Sequence, residues 1–406
     1  MRLAHLSLTN FRNFARLETE FPAGTTLFVG SNAQGKTSLL EAVHYLCGAS
    51  SPHAGSDRQL INFLALRQPA PFARLAAEIE RRGRPMRVEI RLVLEPGLPG
   101  DEVRLQKEVL VNGVKRRVTD LAGGFNAVLF LPQDLRVLEG APAERRRHLD
   151  ELLAQADAAY AHSLHEYGRA LTQRNALLKS LQERSGNGEE LLYWDEQLAE
   201  HGASLIRARL LALVELERLA IPIHAALTRQ AERLRLEYLP SYDPAPQPEN
   251  QLGLPLEISV DRTGIARESI RDGFRSALER SRPESIARGV TPLGPHRDDV
   301  RFIANGIDLR LYGSRGQNRT AMLSVKLAQV EWLHGRTGEW PVLLLDEVLA
   351  ELDQHRREDL LAHIGSVEQA MLTGADLAMF SDDFRRKANI WEIRDGTIAP
   401  APSESS

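Results

Sequence analysis

Gly30-Ser31-Asn32-Ala33-Gln34-Gly35-Lys36-Thr37 is the stretch on which the fold turns. It fits the pattern G-x-x-x-x-G-K-[ST] in full, and each fixed position has a chemical reason. The glycines let backbone amides turn inward around phosphates, Lys36 neutralises the β- and γ-phosphates, and Thr37 offers a hydroxyl to Mg²⁺. Working outward, Thr25-Thr26-Leu27-Phe28-Val29 is a short β-prone run, and Thr37 through Leu46 has helical spacing. A helix starting here aims its positive end at the anion. Gly30, Ser31, Asn32, Ala33, Gln34, Gly35, Lys36, Thr37 and Ser38 are therefore the expected nucleotide-binding positions, with ATP and Mg²⁺ as cofactors.

A phosphate loop needs a carboxylate to hold the metal's water shell. Val342-Leu343-Leu344-Leu345-Asp346-Glu347 supplies one, as a buried strand ending in two acids. Asp346 is expected to orient Mg²⁺, and Glu347 to activate the attacking water. The long separation from the phosphate loop resembles ABC-type heads, which place a signature segment just upstream of the second motif. Ser314-Arg315-Gly316-Gln317 occupies that slot ahead of an amphipathic helix, and its Ser314 hydroxyl, Gly316 amide and Gln317 suit γ-phosphate recognition. Ala350-Glu351-Leu352-Asp353 resembles the loop that crosses between two heads, with Asp353 its functional residue. Gln133, after the strand Ala127 to Leu131, sits where such heads place a metal- and water-sensing side chain. Thr373 ends another strand where transporters carry a histidine. In this class the signature contacts the nucleotide of the opposite subunit, so the resemblance implies an ATP-dependent head-to-head homodimer.

The fold class expected is α/β, an ABC-type ATPase head assembled from both ends of the chain with an inserted helical arm domain. Paired strands are predicted over Ala73 to Ile79 and Met86 to Leu94, and Asn112-Gly113 signals a hairpin. Between Ala143 and Leu239 helical spacing dominates, broken at Ser185-Gly186-Asn187-Gly188, and Ser241 to Pro255 is a Pro-rich loop. The domain reading is 1–142 for the N-terminal lobe and 143–284 for the arm. It continues with 285–398 for the C-terminal lobe and 399–406 for a disordered tail.

The 406 residues carry one cysteine, 43% hydrophobic residues and a formal net charge of −4. No apolar run reaches membrane-span length, and Met1-Arg2-Leu3-Ala4-His5 lacks a secretory layout, which predicts a cytoplasmic protein with no membrane partner. The lone Cys47 excludes an internal disulfide and cysteine-cluster metal sites. The charge supplies no basic footprint, so any DNA-binding surface must be local or formed in a dimer.

Leu8-Thr9-Asn10-Phe11-Arg12-Asn13-Phe14 resembles the opening of RecF-type and SMC-type repair ATPases, where an arginine and polar neighbours, here Arg12 and Asn13, reach toward the nucleotide. Pro132-Gln133-Asp134-Leu135, Gly140 through Asp150, Gly294-Pro295-His296-Arg297-Asp298-Asp299 and Leu344 through Arg356 also resemble RecF segments. Gln133 departs where an acid is usual, and His148 where an aromatic is usual. The resemblance covers Leu3 to about Gly396. It implies a weak ATPase and recombination mediator in gap repair, replication and the SOS response. The implied partners are gapped or single-strand/double-strand junction DNA, with RecR and RecO. The competing reading is an ABC transporter-type ATPase subunit. Candidate DNA contacts are Arg145, Arg146, Arg147, Arg271, Arg275, Arg280 and Arg282, although interleaved acids favour salt-bridged helix faces. For Gly294 to Asp299 a structural turn is the favoured reading, since His296 has no second ligand nearby.

Overall fold

The computed structural model describes residues 1–95, 104–184, 188–245, 261–352, 354–365 and 367–401. Residues 185–187 of the helix break, 246–255 of the Pro-rich loop, Asp353 and 402–406 of the tail lie outside the described residues, whereas Ala399 and Pro400, read from sequence as part of a disordered tail, belong to the strand Thr397–Pro400. The chain divides into two compact units, Met1–Asp134 with Gln329–Ser406, and Leu135–Ala328.

The first unit, built from both ends of the chain, holds two six-stranded sheets. In the antiparallel sheet, β1 (Arg2–Phe11), β2 (Phe14–Glu20), β4 (Phe72–Arg81), β5 (Arg84–Glu95), β6 (Arg104–Val111) and β7 (Val114–Arg116) run in the order β2-β1-β4-β5-β6-β7. The Asn112-Gly113 turn joins β6 to β7 with both residues at positive φ. The second sheet comprises β3 (Gly24–Val29), β8 (Ala127–Phe130), β12 (Val342–Asp346), β13 (Gln369–Gly374), β14 (Asn389–Arg394) and β15 (Thr397–Pro400). Its order is β15-β14-β3-β13-β12-β8, parallel except at β15. All of β12 is buried, as expected for a parallel strand covered on both faces, whereas β2 alternates with exposed polar residues. Helix α1 (Lys36–Gly48) packs on strands of both sheets. Its Leu39, Leu40, Val43 and Leu46 join one core with Leu6, Leu75, Ile90 and Leu344. Each such side chain contributes roughly 1.5–3 kcal/mol by leaving water. Helices α10 (Gln354–Ile364) and α11 (Asp382–Lys387) complete this unit.

The second unit contains α2 (Leu135–Glu139), α3 (Pro142–Ala156), α4 (Ala158–Arg184), α5 (Leu192–Leu227), α6 (Arg267–Arg280), α7 (Arg282–Arg288) and α8 (Leu309–Tyr312). It also holds the start of α9 (Arg315–Thr337), along which the division falls. The α4 and α5 helices are antiparallel neighbours: Arg174 meets Asp195, and further along Tyr160 meets Arg209. The stretch to Leu239 is not helical throughout. Leu234–Leu239 is strand β9, paired with β10 (Asp299–Ala304), which also carries β11 (Ile307–Asp308). Leu234, Leu236 and Tyr238 alternate with less buried neighbours, a period of two that the helical reading of this segment overran. Because β9 and β10 pair, the segment from 285 to 328, read from sequence as part of the C-terminal lobe, clusters with the helices. No helix among the described residues is long and apolar enough to cross a membrane.

Candidate nucleotide site

Four parallel strands, β3, β13, β12 and β8, end at the same edge of the second sheet, where ligands bind in open α/β folds. The phosphate loop follows β3, and Gln133 follows β8. Asp346 ends β12, and Thr373 sits opposite it in the β12–β13 register. Residues far apart in sequence are thereby brought within hydrogen-bond reach.

Local backbone geometry explains the loop's composition. Gly35 has φ +115°, and a Cβ there would lie 2.4 Å from Asn13 Nδ2. At Gly30 a Cβ would lie 2.4 Å from the Ile393 carbonyl oxygen. Asn13 donates from Nδ2 to the Gln34 carbonyl at 2.9 Å, and Gln34 Oε1 accepts from the Asp395 amide at 2.6 Å. The β1–β2 turn and the C-terminal hairpin therefore both hold the loop. No side chain caps α1, and no acid lies in its first turn, so its leading amides and dipole suit an anion.

Lys36, only 4% exposed, donates to the carbonyls of Gly30 at 2.6 Å and Ser31 at 3.2 Å, and pairs with Glu347 at 3.0 Å. Thr37 Oγ1 donates to Asp346 Oδ2 at 2.7 Å, and Thr373 Oγ1 donates to Asp346 Oδ1 at 2.8 Å. The Glu347 amide in turn donates to Thr373 Oγ1 at 2.9 Å, with Glu347 itself at φ 51°. Burial pushes the Asp346 carboxyl above the usual range, opposed by the two threonine hydroxyls and reinforced by the Glu347 charge. These residues suit a Mg²⁺ site in kind, with one hydroxyl, one carboxylate and the Gln133 amide.

Arg12 forms a two-pronged pair with Glu41 of α1, at 2.8 and 2.7 Å, and donates to the Gln59 carbonyl at 3.1 Å. Its guanidinium is thus bound to protein acceptors beside the loop. Sequence reasoning missed His53. Its Nδ1 receives the Gln133 amide at 2.8 Å, in a loop held by Ser51 and Glu41. No local pattern marks it, because only the tertiary fold brings 53 to 133.

The second unit carries the signature segment. Ser314 and Gln317 cap the start of α9 reciprocally: the Gln317 amide donates to Ser314 Oγ at 3.2 Å, and the Ser314 amide to Gln317 Oε1 at 3.0 Å. Gln317 Nε2 also donates to Glu232 at 2.8 Å. Leu311 and Tyr312, just upstream, are exposed.

The arginine candidates divide sharply. Arg145 is buried, forked onto Asp299 at 2.7 and 3.0 Å, and Arg146 donates to the Asp298 carbonyl at 2.6 Å. Arg282 joins Arg174 on the buried Asp195. Arg145 and Arg282 are committed to interior carboxylates, which speaks against their contacting DNA, while Arg146 is half-buried on a backbone carbonyl. Arg147 stays 59% exposed, 3.9 Å from Glu151, and Arg275 lies 3.3 Å from Glu196. Arg271 meets Asp272 and Glu200, and Arg280 is exposed. The Gly294 to Asp299 segment is a buried junction: Asp298 accepts from Tyr238, the Ser241 amide and Arg209, and His296 lies between Tyr167 and Thr291.

Residues 2–390 match the family described as RecF/RecN/SMC N terminal domain. The chain is 41% identical to the DNA replication and repair protein RecF of Chloroflexus aurantiacus, over 98% of this chain and 99% of that one. It is 36% identical to the protein of the same name from Heliobacterium modesticaldum, over 98% and 99%. Among solved structures it resembles the recombination mediator protein RecF-ATPrS in the RecFOR pathway. The TM-score is 0.81 at 29% identity, covering 99% of this chain and 98% of that one. The corresponding RecF-ATP structure gives 0.80, also at 29% identity, covering 98% and 99%. Likeness along the whole length leaves the transporter reading without support. The chain, with its ABC-type ATPase head, belongs to the RecF family.

Proposed function

We propose that this protein is an ATP-hydrolysing, DNA-binding recombination mediator of DNA repair and replication, which pairs head to head when it binds ATP. The names of its relatives and the nucleotide-bound RecF structures support this reading. The observation that carries it is the hydrogen-bonded cluster Thr37–Asp346–Thr373–Glu347, closed by Lys36.

Backbone amides from Gly30 to Ser38 take the phosphates, and Lys36 exchanges its carbonyl and Glu347 acceptors for phosphate oxygens. Thr37, Asp346 and Gln133 would hold Mg²⁺, which when bound neutralises charge building on the β- and γ-phosphates. Once released from Lys36, the Glu347 carboxylate accepts a proton from the attacking water. Thr373 fixes the Glu347 backbone, and with it the carboxylate's position. Asn13 acts through the loop backbone, and Arg12 through Glu41. Ser314, Gly316 and Gln317 reach the nucleotide of a second copy, with Asp353 in the crossing loop, so hydrolysis is slow outside the dimer.

DNA with a gap or junction is the substrate surface, RecR and RecO are the partners, and the cytoplasm is the site of action. The test is Glu347→Gln with ATP in static light scattering. A stable dimer is expected, and a monomer at every ATP concentration overturns the pairing.

A further inference from the structure

Thr373 stands where ABC transporters carry a histidine that meets the terminal phosphate, and its bonding leaves it unable to do that. A hydroxyl has one proton, and Thr373 spends it on Asp346 while its oxygen accepts from the Glu347 amide. In this arrangement the Thr373 hydroxyl has no proton to spare for a phosphate. A histidine does reach this site, but from a different segment, the loop after α1.

His53 makes one side-chain bond at Nδ1, to Gln133 Nε2 at 2.8 Å. An amide N–H can only donate, so Nδ1 accepts, and the neutral ring carries its proton on Nε2. That Nε2 is buried, with no hydrogen-bond partner among the described residues. A buried donor without an acceptor costs roughly 1–3 kcal/mol, so its persistence calls for an explanation. The ring is held in place for a task. The His53 amide donates to Ser51 Oγ at 3.1 Å, Ser51 donates to Glu41 at 2.5 Å, and Glu41 is forked by Arg12. His53 also lies close enough to Asp346 to influence that carboxyl electrostatically.

We propose that His53 is a nucleotide-binding residue of the ATP site, its Nε2–H donating to an oxygen of the terminal phosphate while Nδ1 holds the Gln133 amide. Resting on the ATP reading above, it assigns to the loop after α1 the task for which the Thr373 hydroxyl is already engaged elsewhere. The hydrogen bond from Gln133 Nε2 also leaves Oε1 of the same amide as the end that would hold a metal. One side chain thus reports the γ-phosphate and sets the metal-sensing glutamine.

The test compares ATPγS and ADP binding by calorimetry for the wild type, His53→Ala, His53→Asn and His53→Gln. Asparagine retains an amide near the Nδ1 position but falls short of Nε2, whereas the glutamine Nε2 can restore the distal donor. His53→Ala and His53→Asn should lose about tenfold or more of the preference for ATPγS over ADP, the worth of one charge-assisted hydrogen bond. ADP affinity should hold within about twofold, and His53→Gln should recover part of the loss. In wild-type protein labelled with ¹⁵N-histidine, the Nε2 resonance that disappears in His53→Gln should shift with ATPγS and not with ADP. An unchanged triphosphate preference in His53→Ala, or a wild-type Nε2 signal blind to the γ-phosphate, overturns the proposal while leaving the ATP site standing. Wild-type protein that binds neither nucleotide overturns both.

Discussion

Thr37 Oγ1 and Asp346 Oδ2 lie 2.7 Å apart although 309 residues separate them in the chain. That single bond joins the phosphate loop to the second acidic strand, and it is why a head assembled from two ends of the chain has one site. The β12–β13 register completes the junction, because it sets Thr373 opposite Asp346.

Substituting Thr373 with Val removes a donor to Asp346 and an acceptor for the Glu347 amide while keeping the side-chain shape. Leaving those buried groups unpaired costs roughly 1–3 kcal/mol. Mg²⁺-dependent ATP turnover, followed by phosphate release, should fall more than ATP binding does, because Glu347 loses its anchor and not its chemistry. Turnover equal to wild type would contradict the assigned role.

Gly35→Ala places a methyl group 2.4 Å from Asn13 Nδ2 at a residue with φ +115°. The loop must then shift, and fluorescent-nucleotide titration should show binding weakened by about tenfold or more, since strain of this kind costs on the order of 1–3 kcal/mol. Gly83 has φ +69° with nothing within 4 Å, so Gly83→Ala carries backbone strain without a clash and should leave nucleotide affinity unchanged.

Buried Arg209 takes both oxygens of Asp150 at 2.9 Å and donates to the Pro295 carbonyl at 2.6 Å, with Asp298 beside it. Arg209→Met would strand two carboxylates, so chemical denaturation should show a loss of roughly 3–5 kcal/mol. A neutral outcome would mean that this junction does not hold the second unit together.

His296 sits half-buried between Tyr167, which donates to Nδ1 at 2.7 Å, and the Thr291 carbonyl, which accepts from Nε2 at 3.1 Å. Burial first, then nearby arginines, holds its pKa down to about 4 from an ordinary value of 6.5. The folded state therefore resists protonation that the unfolded chain accepts. Stability is fully present above pH 6.5 and falls as pH drops toward 4, by on the order of 2–3 kcal/mol from this group. Denaturant midpoints at pH 7 and 4.5 measure it, and His296→Gln should flatten that part of the curve.

The phosphate loop and the Asp346–Glu347 strand end were legible in the sequence because each is a contiguous pattern with its own chemistry. The strands of the first unit were largely legible for the same reason, from turn signals and apolar runs. What escaped depends on contacts across long stretches. Leu234–Leu239 reads as a continuation of helical texture until β10 pairs with it. Arg145 and Arg146 look like a basic patch until Asp299 and the Asp298 carbonyl claim them. His53 has no motif at all, and its interest arises only from Gln133.

The central claim is that ATP gates the pairing that holds DNA. It is tested most directly by gel-shift binding of the wild-type protein to gapped, duplex and single-stranded DNA, with ATP, with ADP and without nucleotide. ATP should strengthen binding to gapped DNA, and ADP should not. Affinity for gapped DNA that is the same in all three conditions would contradict it.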